Sequence, residues 1–110
     1  AEENSNRLLD EAIHYIRQHK GTLSIDELKS YLGVNYKWLE RNFSEAMGMT
    51  PKQYSSLQRF INAYTAFLVQ KDLAGITAES GYSDTNHFIK DFKKYTGDTP
   101  MQYLRTCKIR

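Results

Sequence analysis

The sequence predicts an all-α fold of about seven helices, organised as two helix-turn-helix units joined by a long connecting helix. Three observations lead there. Apolar residues recur at three- and four-residue steps along nearly the whole chain, and no stretch alternates polar and apolar residues as a strand would. The second half also repeats the first, down to the residues that begin and end its helices.

Leu8, Leu9, Ala12, Ile13 and Ile16 mark one face of a first helix that stops near Gly21. Ser24-Ile25-Asp26-Glu27 is a capping box, in which the Ser hydroxyl accepts from an orphan N–H and the Glu reaches back to the cap. Ile25, Leu28 and Leu32 give the second helix its buried stripe, and Gly33 ends it. Asn35 caps a third helix with Leu39, Phe43 and Met47 at four-residue steps, closed by Gly48. Thr50-Pro51-Lys52-Gln53 opens the long helix with another capping box and a proline where a missing N–H is harmless. Leu57, Phe60, Ile61, Tyr64, Phe67 and Leu68 carry its apolar stripe to about Lys71. Asp72 is expected to cap a short helix with Leu73 and Ile76 that ends at Gly81. Ser83 or Asp84 then starts one bearing Phe88, Phe92 and Tyr95, which Gly97 closes. Thr99-Pro100-Met101-Gln102 repeats the box and begins a last helix with Tyr103 and Leu104.

The repeat is explicit. Shifted by 49 positions, Leu39 meets Phe88, Arg41 meets Lys90, Phe43 meets Phe92, Gly48 meets Gly97, and Thr50-Pro51 meets Thr99-Pro100. Shifted by 48, Ile25, Leu28 and Gly33 meet Leu73, Ile76 and Gly81, so the one-residue difference falls in a turn, where insertions are best tolerated. Each copy is a short helix, a tight turn at glycine and a second helix. The division expected is 1–50 for the first unit, 51–71 for the connecting helix and 72–110 for the second.

Since Leu39, Phe43 and Met47 face inward, Tyr36, Lys37, Glu40, Arg41 and Ser44 are expected to face away. In the second copy the outward set is Thr85, Asn86, Ile89, Lys90 and Lys93. An α-helix fits the major groove of B-DNA, where Arg or Lys bonds guanine, Asn pairs with adenine and an apolar tip touches a thymine methyl, so Tyr36, Lys37, Glu40, Arg41, Ser44, Thr85, Asn86, Ile89 and Lys90 are the expected base readers. Ile89 either does that or packs at the rim of the core. Glu40 either accepts from a cytosine amino group, holds Arg41 in pose, or simply faces solvent. Trp38 and Tyr82 are expected to pack rather than stack on bases. Lys52, Arg59, Lys93, Lys94 and exposed helix N-termini would hold phosphates, fixing register without reading sequence.

Bulk properties agree without deciding the matter. With 110 residues, 40% hydrophobic and 25% charged, the chain is one small folded protein with little room for a catalytic core and a cofactor cleft. The net charge of +2 is uneven: residues 1–33 sum to −2, residues 34–80 to +1 and residues 81–110 to +3. A pI of about 8.7 does not by itself indicate nucleic acid. Cys107 is the single cysteine, so no disulfide framework exists, and it reads as a bystander. No apolar run approaches the roughly 18 residues of a membrane span, and residues 1–6 are polar and acidic, so no signal sequence is expected. The abrupt start suggests a domain cut from something longer. His14, His19 and His87 lack metal-ligand spacing, and there is no phosphate-binding Gly loop or nucleophile elbow. No catalytic residue, metal or cofactor is therefore expected.

Residues 25–105 resemble the DNA-binding domain of AraC/XylS-type bacterial transcription regulators. The resemblance rests on Leu39-x-Arg41-x-Phe43, Gly48-x-Thr50-Pro51, Arg59-Phe60-x-x-Ala63, Gly81-Tyr82-x-Asp84-x-x-x-Phe88 and Phe92-Lys93-Lys94-x-x-Gly97-x-Thr99-Pro100-x-x-Tyr103. It implies a homeodomain-like, cytoplasmic regulator of transcription with double-stranded DNA and RNA polymerase as partners and no membrane. It also implies a sensor or dimerisation domain upstream. Bases would be read by Lys37, Glu40 and Arg41 in the first unit and by Thr85, Asn86, Ile89 and Lys90 in the second. The two second helices would enter successive major-groove segments about 34 Å apart. Lys29 and Thr77 depart from the family by standing where a small Ala is usual, and Lys29 is expected to snorkel to solvent or a phosphate. His87 replaces a usual Tyr or Ser. Lys90 and Leu104 each replace a usual Arg, and Lys90 loses the bidentate fork. The alternative reading is a helical protein–protein module that kept the fold and lost DNA binding.

Overall fold

The computed structural model describes residues 2–70 and 72–106; Lys71, the expected end of the connecting helix, and Cys107 lie outside them. Among the described residues there are seven helices and no strand. They are α1 (Glu2–Gln18), α2 (Ile25–Leu32), α3 (Tyr36–Met47), α4 (Pro51–Gln70), α5 (Leu73–Glu79), α6 (Thr85–Thr96) and α7 (Pro100–Arg105). α1 begins well before Leu8, its first apolar marker, and Arg7 reaches both Asn4 and Glu11 along the helix surface.

The capping residues act much as their types dictate. Asn35 Oδ1 accepts from Trp38 N–H at 2.8 Å, and Asp84 Oδ1 accepts from His87 N–H at 2.8 Å, which makes Asp84 rather than Ser83 the cap. Thr50 with Gln53, and Thr99 with Gln102, each form the complete reciprocal box. Two expectations fail. Asp72 occupies the N-cap position of α5 without a side-chain cap bond, its carboxylate lying instead where Gly75 leaves room. At α2 only half of the box forms: Ser24 Oγ accepts from Glu27 N–H at 3.1 Å, but Glu27 Oε1 accepts from the Ser24 hydroxyl, not from its backbone N–H.

The chain divides within α4 into two compact units, one of residues up to Arg59 and one from Phe60 onward. The first is built on Ala12, Ile16, Leu23, Leu28, Leu32, Leu39, Phe43 and Tyr54, with Trp38 and Met47 packed at its edge. Arg17 Nε donates to Tyr54 Oη at 2.8 Å, tying α1 to the first half of α4. Gly21 fits closely against that same stretch. Its φ of +72° is left-handed, its carbonyl accepts from the buried Ser55 hydroxyl at 3.1 Å, and a Cβ there would stand 2.6 Å from Arg59 N.

The second unit is an aromatic core of Phe60, Phe67, Tyr82, Phe88 and Phe92 with Ala63 and Ile76. Phe92 sits at its centre, edge-on to Phe60, Phe67, Phe88 and Tyr103 at centroid distances of 5.3–5.8 Å, the arrangement aromatic quadrupoles favour. Two predicted core residues sit further out. Ile61 is 44% exposed because Phe60, Ala63 and Phe67 define the buried stripe of α4, and one residue's step turns Ile61 about 100° from it. Tyr95 is 36% exposed: it stacks on Phe60 at 4.8 Å from the rim, with Lys94 Nζ 5.2 Å from its ring centroid.

The departures at the helix crossings are accommodated differently. Lys29 stays partly exposed and its Nζ reaches Asp26 Oδ1 at 3.3 Å, so it snorkels to the surface. Thr77 is buried, its hydroxyl satisfied by the Leu73 carbonyl at 2.7 Å.

Candidate nucleic-acid interface

Burial of Leu39 and Phe43 on α3, and of Phe88 and Phe92 on α6, is complete. Four-residue steps place these rings and the leucine on one side of each helix, so the intervening long polar residues are turned outward. In the first unit Tyr36, Lys37 and Arg41 are exposed and Glu40 is partly so. In the second, Asn86, Lys90, Lys93 and Lys94 are exposed, with Thr85 and Ile89 half-buried. Ile89, three residues from Asn86 and next to Lys90 on α6, is only partly buried. Tyr82 and Trp38 pack as expected, Tyr82 being buried with its hydroxyl donating to Asp91 Oδ2 at 2.9 Å.

Ser44, Arg59 and Glu40 have surroundings that helical phase alone does not give. Ser44 is placed by helical phase near the outward stripe, yet its Oγ is buried without a hydrogen-bond partner, so it offers nothing to a groove. Its Cβ falls at the margin of the stripe, where a short side chain cannot clear its neighbours. Arg59 is half-buried, with its Nε shut off from solvent where α4 passes Gly21. Lys52 is exposed in the first turn of α4, and Lys52, Arg59, Tyr36, Ser24 and Ile25 line one open cleft at the start of α2.

For Glu40 the structure removes one of the three alternatives. Glu40 does not orient Arg41: among the described residues no hydrogen bond or ion pair joins the two. Instead Tyr36 Oη donates to Glu40 Oε2 at 2.6 Å, one helical turn away. That bond raises the Tyr36 phenol above its ordinary pKa, helped by desolvation and by the nearby carboxylate charge. Sequence reading overlooked the pair, although the four-residue spacing of a phenol and a carboxylate on one helix is a readable signal.

Among the described residues no group of three His, Cys, Asp or Glu side chains could hold a metal, and no helix is long and apolar enough to cross a membrane.

Comparison with known proteins agrees with this architecture. A family described as Helix-turn-helix domain matches residues 28–106. The HTH-type transcriptional regulator YisR of Bacillus subtilis is 30% identical over 101 residues, which are 90% of this chain and 35% of that protein. YtdP, another HTH-type transcriptional regulator of that organism, is 30% identical over 94% of this chain, but the match spans 14% of its own length. The chain thus covers about a third or less of these curated relatives. Among solved structures, the C-terminal domain of AraT, a response regulator from Geobacillus stearothermophilus, superposes with a TM-score of 0.81 at 25% identity, covering 94% of this chain and 88% of that domain. The xylose-binding transcription activator xylR gives a TM-score of 0.77 at 25% identity, over 91% of this chain and 27% of that one. With seven helices in two helix-turn-helix units and outward-facing second helices, the chain belongs to the helix-turn-helix family of AraC/XylS-type transcription regulators, whose DNA-binding domain it represents.

Proposed function

We propose that the chain binds specific double-stranded DNA sites by placing α3 and α6 in successive segments of the major groove, and so directs transcription of nearby genes. The observation behind this is the matched pair of second helices. Each is held by two fully buried apolar residues four apart and turns Lys37, Arg41 or Asn86, Lys90 to solvent. On this reading Lys37, Glu40 and Arg41 read one half-site, and Thr85, Asn86, Ile89 and Lys90 the other. Arginine and lysine would take guanine, Asn86 adenine and Ile89 a thymine methyl. Lys52, Lys93 and Lys94 anchor phosphates, as do helix N-termini. RNA polymerase is the partner through which transcription responds, and a sensor or dimerisation domain lies elsewhere in the full-length regulator.

The test is affinity for a selected site as a function of salt. Contacts to about eight phosphates give a log–log slope near −7. A flat slope, or no binding at low salt, would instead support a helical protein–protein module.

A further inference from the structure

The geometry points to Tyr36 as a positioning residue that orients the Glu40 carboxylate as an acceptor-only reader of cytosine. The inference rests on the proposed entry of α3 into the major groove.

A glutamate among phosphates is repelled by them, and a free one would swing toward Lys37 or Arg41 or out into solvent. Here the neutral Tyr36 hydroxyl donates to Oε2 at 2.6 Å, within the short range of charge-assisted O–H···O⁻ bonds, and removes that freedom without cancelling the charge. Tyr36 is 42% exposed and is not among the residues of the buried core. With Oε2 held by the phenol, the carboxylate is fixed in direction, and Oε1 remains an acceptor on a group that carries no donor. Cytosine presents one amino donor, N4, with only a C–H beside it. Guanine offers two acceptors, which a carboxylate opposes. Adenine pairs a donor with an acceptor, which suits Asn or Gln but sets N7 against the carboxylate. Thymine offers O4, again an acceptor. The Tyr36–Glu40 pair therefore selects by attraction to one base and repulsion from the others.

The experiment is selection of bound sequences from a random duplex pool by the protein, by Y36F, by E40A and by the double variant, with circular dichroism to confirm that each folds. The protein enriches a motif with cytosine at one position of the first half-site. E40A lowers that preference about tenfold, and Y36F lowers it roughly three- to fivefold at the same position, within the discrimination one base-edge contact supplies. The double variant loses no more than E40A. A purely structural Tyr36 would instead weaken every sequence alike, and that result overturns the inference. So does a cytosine preference untouched in Y36F, or a motif with no base that depends on Glu40. If the protein enriches no motif at all, the groove-binding reading itself falls, and the two failures are thereby told apart.

Discussion

Replacing Gly21 by alanine tests a close backbone approach in the first unit, and Gly33 provides the control. Both glycines are left-handed, with φ of +72° and +70°, so an alanine at either meets about 1–2 kcal/mol of conformational strain. At Gly33 a Cβ would have nothing within 4 Å, and the strain is the whole cost. At Gly21 the Cβ would stand 2.6 Å from Arg59 N and nearer still to Ser55 O. Both are backbone atoms of a helix and cannot rotate away, so the turn must lift off α4. That movement stretches the buried bond from Ser55 Oγ to the Gly21 carbonyl, and stranding its two ends costs a further 1–3 kcal/mol or so. Gly21→Ala should therefore cost about 2–5 kcal/mol, a large fraction of the roughly 5–15 kcal/mol that holds a small domain folded. Urea denaturation followed by the fluorescence of Trp38, the sole tryptophan, reports on the core concerned. If Gly21→Ala costs no more than Gly33→Ala, the close approach contributes nothing and the argument fails.

Further outcomes follow from single contacts. Asp84→Ala should lower stability by about 1 kcal/mol through loss of the bond to His87 N–H, while Asp72→Ala, which removes no cap bond, should change thermal stability little; the reverse order would show that the caps are misassigned. The Tyr64 phenol, hydrogen-bonded to Tyr103 Oη at 2.6 Å, is pushed up to about 12 by that bond first, then by desolvation and the charge of Tyr103. The folded chain therefore keeps a proton that the unfolded chain releases near 10, so this stabilisation is complete below about pH 10 and lost as pH rises toward 12. Denaturation at about pH 9 and about pH 11 should show Tyr64→Phe losing less stability between them than the native chain, and equal losses would refute the linkage. In binding assays Arg41→Ala and Lys90→Ala should each relax preference at one base position by roughly 1–3 kcal/mol, whereas Lys52→Ala should weaken all sequences alike and reduce the salt slope by about 1; the opposite pattern would mean that the reading helix is wrongly assigned.

What the sequence announced and what it concealed have a common physical origin. Leu39, Phe43, Phe88 and Phe92 were legible because four-residue spacing depends only on helical geometry, and the outward placement of Lys37, Arg41, Asn86 and Lys90 follows from the same phase. The two Thr-Pro-x-Gln boxes were legible because both of their bonds lie within four residues. Tyr95 and Ile61 misled because periodicity ranks faces but does not say how far a core extends; one ring at the rim or one step off the stripe decides exposure. Ser44 misled, and the half-burial of Arg59 was not readable, because their surroundings come from packing and from chain distant in sequence, such as the turn at Gly21 beside Arg59. Glu40 could be assigned several partners from the sequence, and only side-chain geometry singles out Tyr36.

The two second helices present unlike side chains: a phenol, a carboxylate and an arginine on one, and an amide, an isoleucine and a lysine on the other. A symmetric dimer reads a palindrome equally well from either end, but a molecule with one head and one tail cannot. On the proposed reading, turning the operator around reverses which end of the protein points toward the gene. Orientation of the site, and not merely its presence, then becomes part of the signal a promoter carries.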